Sequence, residues 1–400
     1  MDRIPVVNLG DITFNSLLNG IIAIVFATLM AFVMTPIVRV IAYRIGAVDV
    51  PKDNRRMHKV PTPRLGGLAI FFSFVLSVII FYDTSNTTIA ILISCTIIVI
   101  MAMLDDVFKL RAVIRFIVQI AAAVVVVSQG IVIEHINIFD RYIHFGYLAI
   151  PITVIWIVGL TNAVNFIDGL DGLSCGLSSI SAIFLLVVTL IIGEYQVALL
   201  IAILTGSCLG FLPFNMNPAK IFAGDTGAMF LGFILSVVSI QGVFKVHAVL
   251  TFIIPFLILG VPIFDTIFAI FRRILTGRHP FSADRGHLHH RLVDMGFTQK
   301  QAVRILYAVS ALLGISSIMF ITHKIIYAIL IISISLGISV ATWIIIKNEK
   351  WRVESGLISE ETSNLIAAPD TARALDEEEL LLLNESKAAS ANEENKQIVS

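Results

Sequence analysis

The sequence predicts an all-α, multi-pass membrane protein of about eleven transmembrane helices, with its N-terminus outside and its C-terminus in the cytoplasm. Three observations lead there. Apolar residues make up 57% of the 400-residue chain, charged residues only 14%, and the mean hydropathy is +0.93. The surface of a soluble protein this long needs more charge. Apolar runs recur along the chain, most of them near the ~20 residues that cross a bilayer core. Lys and Arg then gather on one side of the resulting helix count.

The spans read as residues 17–38, 66–82, 88–104, 113–129, 149–161, 173–192, 197–213, 227–244, 248–271, 303–321 and 324–346. The first is long, follows an acidic polar N-terminus and has its positive charge behind it. It reads as a retained helix, not a cleaved signal. The fifth is short, and Gly193-Glu194 alone separates the sixth from the seventh. The connections on one side carry about 21 Lys and Arg, counting helix-edge Arg115 and Arg304 but not the distal tail. The other side carries four: Arg3, Arg141, Lys245 and Lys324. This asymmetry assigns the basic side to the cytoplasm. Residues 1–352 read as one transmembrane domain. Residues 353–400 read as an acidic, disordered cytoplasmic tail with one helical stretch near Leu375–Leu383. Cys95, Cys175 and Cys208 lie in or beside apolar runs and read as small core residues. Zero net charge gives no reason to expect a nucleic-acid partner. A transporter built from inverted halves finds no support in the form of an internal repeat.

The polar residues are concentrated in short islands, all in the cytoplasmic connections. Polar groups kept at a membrane are functional candidates by default. Asp105-Asp106, in MAMLDDVFKLR, ends a helix. The pair suits a divalent cation or a basic group; otherwise Asp105 simply meets Lys109 one turn on. NAVNFIDGLDGL follows, with Asn162 and Asn165, and Asp168 and Asp171, each three residues apart and able to share a helical face. In FAGDTGAMFLG, Asp225 opens a span, either as a metal ligand beside an anion site or as an N-cap. The stretch His279 to Leu292 holds four histidines and two arginines. Its spacing permits zinc, but Arg285, His287, His289 and His290 together suit phosphate oxygens better. Lys59 and Arg64 flank two prolines before the second span, as a phosphate grip or as positive-inside anchors. Oxygen ligands for Mg²⁺ and basic donors for phosphate at one membrane face suit phosphoryl transfer. A transporter would bury its charges mid-span, where this chain has almost none. A loop region that only binds anionic lipid leaves the acidic islands without a purpose.

LDDVFKLR, NAVNFIDGLDG, GDTG and DRGHLHHRL, in this order and between these spans, resemble the polyprenyl-phosphate N-acetylhexosamine-1-phosphate transferases over roughly residues 17–346. The resemblance implies a multi-span enzyme of the inner (plasma) membrane with its active site on the cytoplasmic face. Such enzymes transfer a sugar 1-phosphate from a UDP-sugar to undecaprenyl phosphate and release UMP. Mg²⁺ is the implied cofactor, with Mn²⁺ as a substitute. Asp105 and Asp106 match the family's paired aspartates of catalysis and lipid-phosphate binding, with Asp168 as a third catalytic candidate. Asp225 matches the metal ligand, and Asn165 lies on or near the metal. Asn162, Asp168 and Asp171 match the nucleotide-contacting region. Arg285, His287, His289 and His290 match the donor-side histidine motif, and Lys59 a basic loop. The spelling DRGHLHHRL resembles the branch that uses UDP-GlcNAc, not the UDP-MurNAc-pentapeptide branch of peptidoglycan synthesis. The resemblance leaves a homodimer open.

Overall fold

A long apolar run can enter lipid only if its own backbone groups pair with one another, which a helix achieves. The computed structural model describes residues 14–50, 61–138, 141–244, 253–277, 286–337 and 344. These are mostly helical: α1 (Phe14–Arg44), α2 (Gly67–Phe81), α3 (Asn86–Phe108), α4 (Ala112–Ser128), α5 (Ala149–Ile167), α6 (Leu173–Ile192), α7 (Tyr195–Asn215), α8 (Gly224–Ser239), α9 (Ile253–Ile258), α10 (Gly260–Leu275), α11 (Leu288–Asp294), α12 (Gln299–Ile321) and α13 (Ile325–Gly337). A π-helical turn, Ile240–Phe244, extends α8. Seven of the described helices are long and apolar enough to cross a membrane, and α2, α4 and α13 are shorter apolar helices. The chain is a multi-pass membrane protein.

Helices occupy the described parts of the expected spans, with three differences. The fifth span is not short, because α5 continues to Ile167 and carries Asn162 and Asn165 on its last turns. The ninth, read as one helix over 248–271, is two in its described part. It breaks at Leu259, and α10 runs on to Leu275. Pro262 supplies no amide hydrogen, so it fits the first turn of a new helix and not the middle of an old one. A wholly helical chain was also too simple. β1 (Val48–Asp49) pairs antiparallel with β2 (Thr62–Pro63), and β3 (His135–Ile138) with β4 (Arg141–His144). The first pair sits beside prolines that favour extended backbone. The second follows the alternating IVIEHINI, in which Ile131 and Ile133 are buried. The tail after 353 lies outside the described residues.

α8 is the hub. Its membrane window is 94% buried, and α2, α3, α5 and α6 pack around it. Glycines permit the closest approaches. A Cβ on Gly67 of α2 would lie 2.1 Å from the backbone nitrogen of Gly227 on α8. On α7, Gly206 and Gly210 sit one turn apart against α1, where a Cβ would come within 2.4 Å of the Ile24 carbonyl and 2.1 Å of the Thr28 carbonyl. This is the small-xxx-small contact by which membrane helices pack without a hydrophobic drive. Gly210→Leu should therefore force α1 from α7 and cost about 2 kcal/mol or more. Gly20→Leu, with nothing within 4 Å of its Cβ, should be close to neutral. Unfolding of both variants in detergent checks this; equal stability would refute the close contact.

Candidate active site

The site begins at the N-terminus of α8. The extended segment before α2 is laced to the segment before α8. Phe222 donates its amide to the Pro63 carbonyl at 2.8 Å, and Gly66 and Gly67 donate to Phe222 and Ala223 at 2.9 Å each. Gly224 has φ +69°, and a Cβ there would lie 1.9 Å from the Arg64 carbonyl, so glycine is required. The first amides of α8 have no partner within their own helix. Asp106, from the end of α3, supplies one. Its carboxylate accepts from the Asp225 amide at 3.2 Å, the Thr226 amide at 3.0 Å and the Thr226 hydroxyl at 2.7 Å. The N-cap alternative for Asp225 is thus excluded: Ala223 is the cap residue, Asp225 stands in the first turn, and Asp106 caps from another helix.

Asp105 is buried, and its oxygens accept from the Leu110 amide at 2.6 Å and from Arg115 at 2.9 Å. The one-turn pairing with Lys109 is not formed. Lys109 is the left-handed C-cap of α3, and its amide donates to the Asp105 carbonyl. Asp225 lies beside Asp105.

The corner between α5 and α6 brings the second island. Asn162 donates to Gln119 of α4 and to the Val158 carbonyl, at 2.7 Å each. One turn on, Asn165 Oδ1 is buried with no hydrogen-bond partner. Asp168 accepts from the Ser174 hydroxyl. Burial, with the Asp106 and Asp171 charges, pushes its carboxyl up to about 7, against the pull of Ser174 and Arg64. Asp171 accepts from Asn217 at 2.9 Å and from the Ala219 amide at 3.0 Å, which ties the corner to the chain after α7.

The histidine island forms a wall. His287 and His289 are buried. His287 Nδ1 lies 2.8 Å from Asp265 of α10. The rings of His287 and His289 lie 6.0 Å apart at 11°, and those of His289 and His290 lie 4.2 Å apart. A Cβ on Gly169 would lie 2.1 Å from His289 Nε2, so the wall closes onto the α5–α6 corner. Burial, then the His290 charge, holds the His289 pKa down at about 3. Its Nδ1 has no partner. The islands therefore meet in pairs: α3 with α8 through hydrogen bonds, α3 with the corner through charge, and the corner with the wall through contact. Lys59 and Arg285 lie outside the described residues.

The sequence reading missed Asp265, Gln119 and Asp49. Asp265 left one signal, a lone acid in the apolar run GVPIFDTIFAI. Asp49 is buried against Arg64, which makes Arg64 more than a membrane anchor.

Among the described residues, no three His, Cys, Asp or Glu side chains are grouped as a ready cage. Mg²⁺ asks for less: one or two carboxylates, oxygen donors and substrate phosphates. Asp225, crowded by Asp105, and the unpartnered Asn165 Oδ1 are hard oxygen donors of that kind.

Comparison with known proteins identifies the family. The profile of "Glycosyl transferase family 4" matches residues 88–243. The chain is 42% identical over 304 residues to a probable undecaprenyl-phosphate N-acetylglucosaminyl 1-phosphate transferase of Bacillus subtilis, covering 74% of this chain and 84% of the relative. It is 34% identical over 320 residues to a decaprenyl-phosphate N-acetylglucosaminephosphotransferase of Mycobacterium tuberculosis, covering 70% and 77%. It is 31% identical over 312 residues to a phospho-N-acetylmuramoyl-pentapeptide-transferase of Staphylococcus aureus, covering 72% and 95%. The fold defines a multi-pass membrane protein with its polar groups clustered at helix ends, and the chain belongs to glycosyl transferase family 4.

His289 and Asp168 titrate with opposite consequences for stability. The folded His289 pKa of about 3 lies below the ~6.5 of a free imidazole. The unfolded chain takes up that proton first, so stability is lost as pH falls below about 6.5. Asp168, raised from 3.8 to about 7, loses its stabilising proton as pH rises across that window. His289→Gln removes only the first effect. Relative to the unsubstituted protein, this variant should gain about 2 kcal/mol between pH 6.5 and pH 5. Unfolding in detergent at several pH values measures it; a constant difference would refute a buried, neutral His289.

Proposed function

We propose that this chain transfers GlcNAc-1-phosphate from UDP-GlcNAc to undecaprenyl phosphate, giving undecaprenyl-diphospho-GlcNAc and UMP. This is the first membrane step of a cell-envelope polymer. One observation carries the proposal: the Asp105–Asp106–Asp225 cluster and the histidine wall converge on the α5–α6 corner. The membrane is the plasma membrane, crossed eleven times, with this site on the cytoplasmic face. The excess of Lys and Arg in the connections of that side supports this orientation. The GlcNAc donor is favoured over UDP-MurNAc-pentapeptide by the DRGHLHHRL spelling and by 42% against 31% identity to the two kinds of relative.

An apolar cleft of about 450 Å³ suits the polyprenyl chain; Ile133, Ile155, Trp156, Gly159, Ile267 and Ile270 are among its lining residues. The acceptor phosphate needs little help from a base, because a phosphate monoester with a pKa near ~6 is mostly dianionic at neutral pH. One of its oxygens attacks the β-phosphorus of the donor. The new P–O bond forms as the bond from that phosphorus to UMP breaks, and UMP leaves with the electron pair. Asp225 and Asn165 would hold Mg²⁺, which when bound supplies charge neutralisation for the diphosphate and the departing UMP. Asp106 keeps Asp225 in place by capping its helix. Asp105 is engaged by Leu110 and Arg115, and Asp106 by three donors. These donors stabilise both carboxylates and lower their nucleophilicity, which favours direct transfer over an aspartyl-phosphate route. Asp168, near neutrality in its titration, can hold or release a proton beside the reacting phosphates. Arg285, His287, His289 and His290 bind the donor, and Lys59 the acceptor phosphate. Asn162, one turn before Asn165, ties this end of α5 to Gln119 of α4, and Asp171 orders the nucleotide side.

UMP release from purified protein with undecaprenyl phosphate and Mg²⁺ tests the reaction. Turnover with UDP-MurNAc-pentapeptide alone would overturn the donor assignment. Asp225→Ala should lower turnover by at least about 10³-fold, and chelation should stop the unsubstituted protein until Mg²⁺ is restored. Full activity of Asp225→Ala would remove it from the metal site. Gly159→Leu directs a side chain into open space. It should raise KM for undecaprenyl phosphate several-fold and leave KM for UDP-GlcNAc unchanged; the reverse pattern would take the acceptor out of the cleft.

A further inference from the structure

Asp265 is the only acidic residue of α10, and it is buried. A carboxylate in such surroundings needs hydrogen-bond partners. It has two, both from the start of the histidine wall. One oxygen lies 2.8 Å from His287 Nδ1, and the other accepts the Leu288 amide at 2.8 Å. The Leu288 amide is among the first of α11, which no bond within that helix can satisfy. A third tie comes from two turns further along α10, where Arg272 donates to the Gly286 carbonyl at 2.7 Å. Residues 286–288 are thus fastened to α10 at three successive points.

We infer that Asp265 is a positioning residue of the donor site, acting through His287 to set the ring of His289 against the α5–α6 corner. A carboxylate facing Nδ1 keeps a proton on that nitrogen and fixes the ring plane. The His289 ring lies 6.0 Å from that of His287 and only 11° from parallel. Fixing one plane therefore restricts the other. His289 Nε2 is pressed against Gly169, while its Nδ1 is buried and without a partner. A ring nitrogen held in this way can serve a ligand oxygen, and the oxygens that the proposed reaction brings to this wall belong to a nucleoside diphosphate sugar. The inference rests on the transfer reading for its ligand, though not for the local geometry.

Asp265→Asn preserves size and can still accept from the Leu288 amide, but it no longer holds the proton on Nδ1. Its kcat/KM for UDP-GlcNAc should fall about 10–100-fold, mainly through KM, with KM for undecaprenyl phosphate within twofold. Asp265→Glu, which restores the carboxylate, should recover part of the loss. His287→Gln should show the same pattern, and the double variant should be no worse than the more impaired single one, because the two residues act in series. Multiplied losses, or an Asp265→Asn enzyme with unchanged donor kinetics, would overturn the inference. The ¹⁵N spectrum of histidine-labelled protein gives a readout independent of turnover. His287 Nδ1 should carry a proton in the unsubstituted protein and lose that preference in Asp265→Asn. If the unsubstituted protein releases no UMP, the transfer reading fails and the spectrum alone decides; an unprotonated Nδ1 there would remove the Asp265 role.

Discussion

The rest of the site depends on one carboxylate at one helix end. Asp106 leaves α3 and accepts the first free amides of α8 together with the Thr226 hydroxyl. A helix N-terminus carries partial positive charge, so a carboxylate there satisfies both the hydrogen bonds and the dipole. Because α8 is the buried hub, this contact fixes the hub along its axis. It also sets Asp225 beside Asp105. The acidic cluster is therefore an outcome of helix capping across a long sequence separation.

The aspartates of the site differ in what holds them. Asp105 is neutralised by Arg115, Asp106 is absorbed in capping, and Asp171 ties down the chain after α7. Asp168 has a single hydroxyl donor, and burial first, then the Asp106 and Asp171 charges, raises its pKa. Asp225 stands directly against Asp105. This graded occupation lets one polar patch combine rigid and responsive carboxylates.

The broken ninth span gives α10 two duties. Ile263, Thr266, Ile267 and Ile270 face the apolar cleft, while Asp265 and Arg272 hold the histidine wall. A continuous helix from 248 would have started its apolar stripe elsewhere. The break at Leu259 resets the helix, so its polar and apolar sides serve different neighbours.

Most of the helices and the four polar islands were legible in the sequence, because lipid leaves an apolar run few alternatives and makes every retained charge conspicuous. The charge asymmetry pointed to one face, and the spacing of Asn162 with Asn165 pointed to one helical surface. Other features were decided only by tertiary structure. The partners of Asp106, Asp105 and His287 lie 120, 10 and 22 residues away in the chain, and no local pattern encodes such distances. For Asp225 a cap, and for Lys109 a pairing with Asp105, were the alternatives left open by the sequence; packing gave the capping to Asp106 and the pairing to Arg115. Asp265 was hidden for the opposite reason, as a single polar residue in an apolar run that acquires meaning only when α11 folds back to meet it. Solvation determines which segments enter the membrane, and that can be read residue by residue. The pairing of buried polar groups depends on which helix ends meet, and only the packed bundle decides that.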